Sequence, residues 1–319
     1  MPNSIAIDFA ASLRQATLEV IWRQWGTLGA TVSSGAPTRT TIDPEALILT
    51  SLWMMDHERR LADVIWSWVD RNSAVISIQR LGNLRVGLPP IVSTRLESLA
   101  QERVRNARDA RWRSLSSTDA APLSKRADKI RAVEPRLTSW ATLMVQLRMG
   151  MGVGVKADVL SFILGLNMHV PEWASVTMIA DAIGYTTAAV RRAADDLARA
   201  RFIRNLDTAE SDGGTRMFSG NPSAWAGILG VSPTIPAWGY WRVRDRFVSF
   251  VGDWDAQELE HATTPYARDV AAREILKRHR TALRRDRIID PFESSSDGST
   301  LADLAAASEA LARFWVSHA

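Results

Sequence analysis

Two adjacent arginines and a threonine–alanine pair one helical turn before them carry the most readable chemistry in this chain. Residues three or four positions apart lie on one face of a helix, and five residues here share that spacing: Thr187, Ala188, Arg191, Arg192 and Asp195. A guanidinium group can donate paired hydrogen bonds to a guanine edge or bind a phosphate, and threonine or alanine can contact the methyl group of thymine. The face therefore has side chains suited to contact with nucleic acid.

Three predicted helices must position this face. The first starts near residue 155, and its apolar face carries Val159, Phe162, Ile163 and Leu166. Ser175 is a suitable N-cap for the second helix, and Gly184 is suited to end it because glycine takes positive φ freely. The third helix is predicted over residues 188–200, capped by Thr186 or Thr187, with these inward residues: Val190, Ala193, Ala194 and Leu197.

The turn between the second and third helices has a recognisable pattern. Two helices that cross steeply over a tight turn need a small residue, a turn-former and an apolar plug, and Ala180, Gly184 and Val190 supply them. Two strand-like runs follow, at residues 202–206 and 216–219, around a polar tip at 207–215.

On these residues, the segment resembles the helix-turn-helix of winged-helix proteins, in particular the MarR-like and ArsR-like transcriptional regulators. The likeness covers roughly a fifth of the chain, and the segments LRMGMGVGVKADVLSFILG and SAWAGILG are similar to those of actinobacterial helix-turn-helix proteins of unassigned role. It implies a DNA-binding regulator in which the third helix enters the major groove and the wing touches the backbone. It also implies a mainly α fold with a central winged-helix domain and a small β-hairpin wing.

Other basic residues are candidates for phosphate contacts. Near the predicted wing and the first helix these are Lys156, Arg204 and Arg216. The basic stretch at residues 103–113 contributes Arg105, Arg108 and Arg111, and a stripe on a predicted C-terminal helix contributes Arg273, Lys277, Arg280 and Arg284. A basic stripe can lie on nucleic acid, an anionic membrane or an acidic partner, or it can be a solvated helix face.

The charge distribution leaves a second function open. Residues 151–220 hold seven basic and eight acidic residues, a net charge of −1, and the wing tip is acidic. Residues 80–150 hold fourteen basic and six acidic residues, a net charge of +8. Because phosphate contacts supply most non-specific affinity, the central module alone would bind DNA weakly. The alternative is a protein-interaction module, antitoxin-like or a defence-system partner, that holds another protein through the winged helix and the helical ends.

Length and composition set the organisation. The chain has 319 residues, 46% hydrophobic and 23% charged, which predicts a soluble protein of several units. We expect an N-terminal helical domain (1–88), a basic helical connector (89–150), the winged-helix domain (151–230) and a C-terminal helical domain (231–319). The cysteine count of zero, together with a first segment unlike a signal peptide, favours a cytoplasmic protein. A final helix at 301–315 has an apolar stripe suited to docking on the rest of the molecule or to dimerisation, and we expect a homodimer.

The other helices are predicted at residues 8–25, 44–55, 58–72, 77–84, 93–112, 125–133, 136–148, 222–229, 238–251 and 265–288, with a loop or linker at 27–41. Known catalytic motifs do not occur in the sequence, so we expect neither an enzyme nor a cofactor. An acidic cluster at residues 253–261 lacks the spacing of a metal site and is interpreted as a solvated helix start.

Overall fold

The structure is a computed structural model that describes residues 3–31, 38–121, 139–166, 173–206, 216–230 and 237–239, positions 135 and 137, and single positions between 264 and 317. The described part is mainly helical and includes a small three-stranded antiparallel sheet, which confirms the mainly α fold class. Within those residues, every helix is too short or too polar to cross a lipid bilayer.

Five helices make up the N-terminal part: α1 (Asn3–Thr27), α2 (Pro44–Met54), α3 (Arg60–Asn72), α4 (Ile78–Leu84) and α5 (Pro90–Asn106). The predicted start of α2 is confirmed, because the Asp43 side chain accepts a hydrogen bond from the backbone N–H of Ala46 and Pro44 occupies the first turn. Ser77 caps α4 in the same way, through the N–H of Arg80.

Two buried tryptophans join α1 to α2 and α3. The indole N–H of Trp25 donates to the Ser51 hydroxyl at 2.9 Å, and that of Trp68 donates to the carbonyl of Leu28 at 3.1 Å. The two rings meet edge to face with their centroids 5.6 Å apart. Both polar ring atoms are thus satisfied, so the large rings are buried without leaving an unpaired donor.

The helix predicted at 93–112 is wrong at both ends. It begins at Pro90, where the missing N–H costs no hydrogen bond because the first turn has no helical partner. It ends at Asn106, and Arg108 then adopts a left-handed backbone with φ of 52°. A short 3-10 helix, Ala110–Ser114, follows and buries Trp112.

The helix predicted at 136–148 is displaced towards the C-terminus. A 3-10 turn at Trp140–Thr142 precedes α6 (Leu143–Met151), which ends where Gly152 takes a φ of 86°. The next helix, α7 (Val155–Gly165), is buried along most of its length. Its last residue must be small, because a Cβ on Gly165 would lie 3.0 Å from the backbone nitrogen of Trp238.

The central elements are β2 (Ala174–Ser175), α8 (Val176–Ile183), α9 (Thr187–Arg199), β3 (Arg204–Leu206) and β4 (Met217–Ser219). All of them except β2, which the sequence did not predict, follow the predicted order. The sheet order is β2-β4-β3, antiparallel throughout. Phe218 on the middle strand pairs with Ala174 on one side and Asn205 on the other. The polar tip predicted at 207–215 lies outside the described residues.

The segments predicted as a linker at 27–41 and a helix from 238 are wrong in part. Thr40 and Thr41 form β1, which pairs in parallel with β5 (Ala237–Trp238) after α10 (Pro222–Leu229). Both threonines are buried. These strands are only two residues long, and the sequence around each of them is typical of a turn. Their pairing joins distant parts of the chain, so local sequence patterns could not predict it.

One cluster of buried apolar side chains extends from α1 through α9 to β5. It includes Trp315, which confirms that the predicted C-terminal helix docks on the rest of the molecule. The described positions within the predicted helices 265–288 and 301–315 are helical. The helix predicted at 125–133 lies outside the described residues, as do residues 240–251 of the helix predicted at 238–251 and the acidic cluster at 253–261.

Candidate functional site

The helix α9 carries the face that the sequence singled out. Its N-cap is Thr186, whose hydroxyl accepts a hydrogen bond from the N–H of Ala189 at 3.3 Å. Its inward side is fully apolar and buried, formed by Val190, Ala193, Ala194 and Leu197. This strict division between an apolar and a polar side fixes the rotation of the helix, so the opposite side must face outward.

The outward side holds the residues predicted to contact bases. The capping Thr186 is exposed, and so are these residues of the helix: Thr187, Ala188, Arg191 and Arg192. Among the described residues, neither Arg191 nor Arg192 has an acidic partner. Within the described part of the chain, both guanidinium groups therefore have donors available to a ligand.

Two of the three cations predicted to flank this face are engaged by aspartates of α9. Lys156 Nζ lies 2.9 Å from Asp196, and Arg216 Nη1 lies 2.9 Å from Asp195. Hydrogen bonds from Lys156, and then from Arg199, lower the pKa of Asp196 below its usual range. The third cation, Arg204, is exposed on β3. The positive charge near α9 is thus partly compensated by the helix itself.

The arginines of the basic stretch at 103–113 differ in their burial and in the contacts that they make. Arg105 and Arg108 are exposed. Arg111 forms two hydrogen bonds with Asp109, and the hydrogen bond from Arg111 is the main cause of the lowered pKa of that aspartate. Arg103, which the sequence placed in the same phosphate-binding stretch, is instead buried against Asp70.

The C-terminal basic stripe is described only in part. Arg273 and Lys277 lie in helical positions and are exposed, one turn apart. Arg280 and Arg284 lie outside the described residues.

Sequence reasoning missed a fully buried cluster of five charged residues, which we call the ion cluster: Asp43, Glu45, Arg80, Arg148 and Asp158. Arg148 donates to both oxygens of Asp158, at 2.7 and 2.8 Å, and to both oxygens of Glu45, at 2.6 and 2.9 Å. Arg80 donates to Asp43 at 2.7 Å and to Glu45 at 2.6 Å.

Paired charges explain how this cluster tolerates its complete burial. Burial by itself raises the pKa of Glu45, but the positive charges of Arg148 and Arg80 outweigh it and lower that pKa below its usual range. Burial likewise opposes the charge of each guanidinium, yet the neighbouring carboxylates raise the pKa of Arg80 and Arg148. Glu45, Arg80 and Arg148 are therefore charged at neutral pH.

The ion cluster also holds the turn between α8 and α9. Arg80 Nε donates to the carbonyl of Ile183, the last residue of α8, at 2.6 Å. Tyr185, within the turn, donates its hydroxyl to Asp158 at 3.0 Å, and burial together with the Asp158 charge raises the pKa of this phenol. Asn83, one turn after Arg80, donates to the carbonyl of Gly184 at 3.2 Å. Helix α4 thus fixes the point from which α9 starts.

A weak signal for this cluster was present in the sequence. Arg80 lies four residues before Leu84, and Arg148 lies four residues after Met144, so both arginines share a helix face with apolar residues. A charge on an apolar face indicates a buried ion pair, since arginine is almost never fully buried without a partner. Its partners, more than a hundred residues away in the case of Arg148 and Glu45, have no local signature.

Comparisons with known proteins add no relative: no protein-family model, no curated protein and no solved structure matches this chain.

Proposed function

We propose that this protein is a cytoplasmic DNA-binding transcriptional regulator whose α8, α9 and the β3–β4 pair act as a winged helix-turn-helix. The observation that carries the proposal is the outward side of α9, where Arg191 and Arg192 are exposed and have no acidic partner among the described residues. A helix with a buried apolar side and a bare arginine side is the arrangement used to read a major groove.

In this proposal the residues divide into base readers and phosphate contacts. Arg191, Arg192, Thr187 and Ala188 would face base edges, and Thr186 would hold the helix start beside the backbone. Arg204, Lys156 and Arg216 would bind phosphates, helped by the exposed arginines of the basic connector. Homodimerisation would set the spacing of two half-sites.

Gel shifts of the full chain with fragments of its source genome, including its own promoter, test the proposal. We expect at least one fragment to be retained at low salt, and its binding to weaken steeply as salt rises because counterions are released from the phosphates. If every fragment migrates freely at low salt, the protein is not a DNA-binding regulator.

A protein-interaction module is the second candidate, and the ion pairs around α9 favour it. Asp195 and Asp196 hold Arg216 and Lys156, so a phosphate would compete with a carboxylate for either cation. Affinity purification from the native cell followed by mass spectrometry distinguishes the two candidates. A protein recovered at one-to-one stoichiometry supports the second, and a homo-oligomer free of other proteins counts against it.

A further inference from the structure

A second surface, away from the outward side of α9, combines apolar and basic groups. It is a groove of about 430 Å³ between the start of β3 and helix α10. The side chains that matter in it are those of Arg201, Phe202, Arg204, Trp225 and Ile228. We call it the α10 groove.

The aromatic floor of the groove is fixed by local contacts. The indole N–H of Trp225 donates to the carbonyl of Phe202 at 3.1 Å, and the two rings meet edge to face at a centroid distance of 5.4 Å. These two contacts hold both rings in place in the absence of a ligand. Pre-organised side chains lose little conformational entropy on binding.

Large apolar side chains at the rim of the groove are exposed to solvent. Ile228 is 72% exposed and Phe202 is 41% exposed. Burying such side chains against a partner is favourable by about 25 cal/mol per Å² of apolar surface. The aliphatic Ile228 is the more exposed of the two, so an aliphatic side chain of a partner can pack against it.

The described charged residues that line the groove are all basic. Arg201 and Arg204 are exposed at its edge, and none of the described residues that line it is acidic. A second copy of this chain, paired about a two-fold axis, would place the same arginines near one another, which is unfavourable. A nucleic acid strand could pair with these arginines, but its phosphates and sugars would offer the exposed Ile228 side chain little apolar surface to pack against.

We propose that the α10 groove binds a short acidic segment of another protein. An aliphatic side chain of that segment inserts between Trp225 and Ile228, and flanking carboxylates pair with Arg201 and Arg204. Arg204 is shared with the proposed phosphate contacts, but Ile228, Trp225 and Arg201 are not, so this docking site stands or falls independently of DNA binding.

Selection of random twelve-residue peptides displayed on phage against the full chain tests the proposal. We expect the enriched peptides to share a leucine, isoleucine or valine flanked by aspartate or glutamate. The binding of one such synthetic peptide is then measured by fluorescence anisotropy, beside a copy with lysine in place of each acidic residue. The lysine copy should bind at least about tenfold more weakly, since both arginines would repel it.

Variants of the full chain locate the binding site. Ile228→Asp and Arg201→Glu should each weaken the acidic peptide by about tenfold or more, as loss of a central anchor or charge does. Arg201→Lys, which keeps the charge, should bind nearly as the parent protein does. Val86→Asp is the matched control, because Val86 is an aliphatic residue with 79% exposure that does not line the groove. Circular dichroism checks that each variant is folded.

Four outcomes would overturn the proposal. These are the failure to enrich any peptide, enrichment of peptides without acidic residues, peptide binding that Ile228→Asp leaves unchanged, and equal weakening by Val86→Asp. Loss of single-stranded oligonucleotide binding in Ile228→Asp would instead assign the groove to nucleic acid. A lower molar mass of that variant in analytical ultracentrifugation would assign the groove to a second copy of the chain.

Discussion

At the scale of single residues, the ion cluster makes each of its members dependent on the others. Three carboxylates and two guanidinium groups share one buried volume, and each guanidinium bonds to two carboxylates. Taking charges out of water is costly, and only close pairing offsets the cost. Deleting one partner therefore leaves an uncompensated charge in a place that water does not reach.

Arg148→Met tests this dependence. The substitution keeps much of the side-chain volume but leaves Glu45 and Asp158 without their shared donor, so we expect the free energy of unfolding to fall by about 3–5 kcal/mol. Urea denaturation followed by tryptophan fluorescence measures it. Arg60→Ala is the control, since Arg60 pairs with Glu58 on an exposed surface and its loss should cost less than about 1 kcal/mol. Equal effects of the two changes would refute the dependence.

The same cluster predicts a pH dependence of stability. Because folding lowers the pKa of Glu45, its contribution to stability is complete above the unfolded value of 4.5 and is lost as pH falls through the folded value. The difference in unfolding free energy between the parent protein and Glu45→Gln should therefore shrink as pH falls below 4.5. Urea titrations at several pH values measure it, and a difference that stays constant would contradict the assignment.

At the scale of elements, the helix caps and turns were readable from the sequence, but the links between elements were not. Ser175, Gly184 and Thr186 act where local chemistry said they would, because capping depends on neighbours within four residues. The parallel pairing of β1 with β5 and the hold of Arg80 on the carbonyl of Ile183 join residues far apart in the chain. No local pattern encodes such partners. The sequence therefore predicted the outward side of α9 but not the contact of Arg80 with Ile183 that fixes the start of this helix.

A pair of identical substitutions tests the turn before α9. Gly184 has a φ of 73°, where a side chain costs about 1–2 kcal/mol, so Gly184→Ala should destabilise the protein by that amount. Gly150 lies within α6 with open space around its Cα, so Gly150→Ala should stabilise it by up to about 1 kcal/mol. Thermal unfolding measures both. Shifts of the same sign would show that the turn does not require glycine.

The proposed reading helix is tested on α9 itself. Arg191→Ala should weaken the binding of a retained DNA fragment by about 1–3 kcal/mol and relax its sequence preference. Arg199→Ala is the matched control, because Arg199 lies on the same helix but pairs with Asp196 and is not among the proposed contacts. Anisotropy titrations with the parent fragment and single base-pair variants measure both effects. Equal losses from the two substitutions would mean that α9 contributes only general charge.

At the scale of the whole molecule, one buried core and the ion cluster connect the N-terminal helices to the proposed DNA-binding elements. Glu45 from α2, Arg80 from α4, Arg148 from α6 and Asp158 from α7 meet at the turn that leads into α9. The orientation of α9 is therefore set by the entire assembly of these helices, and sequence periodicity could predict each helix without predicting that assembly.

Global electrostatics gives the last prediction. Asp195→Asn removes a negative charge from α9 and breaks its ion pair with Arg216, so binding of a retained fragment should tighten and the slope of log K against log salt should steepen by about one. Titrations between low and moderate salt measure the slope. Glu97→Gln, an equal charge change at the Arg85 pair, should leave it unaltered. A slope that both variants change alike would indicate that net charge alone controls binding.

The two short strands β1 and β5 set an order of events during synthesis. Thr40 leaves the ribosome roughly two hundred residues before Ala237, its partner in the parallel pair. Until that later residue emerges, the buried threonines next to the start of α2 have no strand to pair with. The N-terminal helices can therefore form while translation proceeds, but this closing contact must wait for nearly three quarters of the chain, which places it late on the folding route.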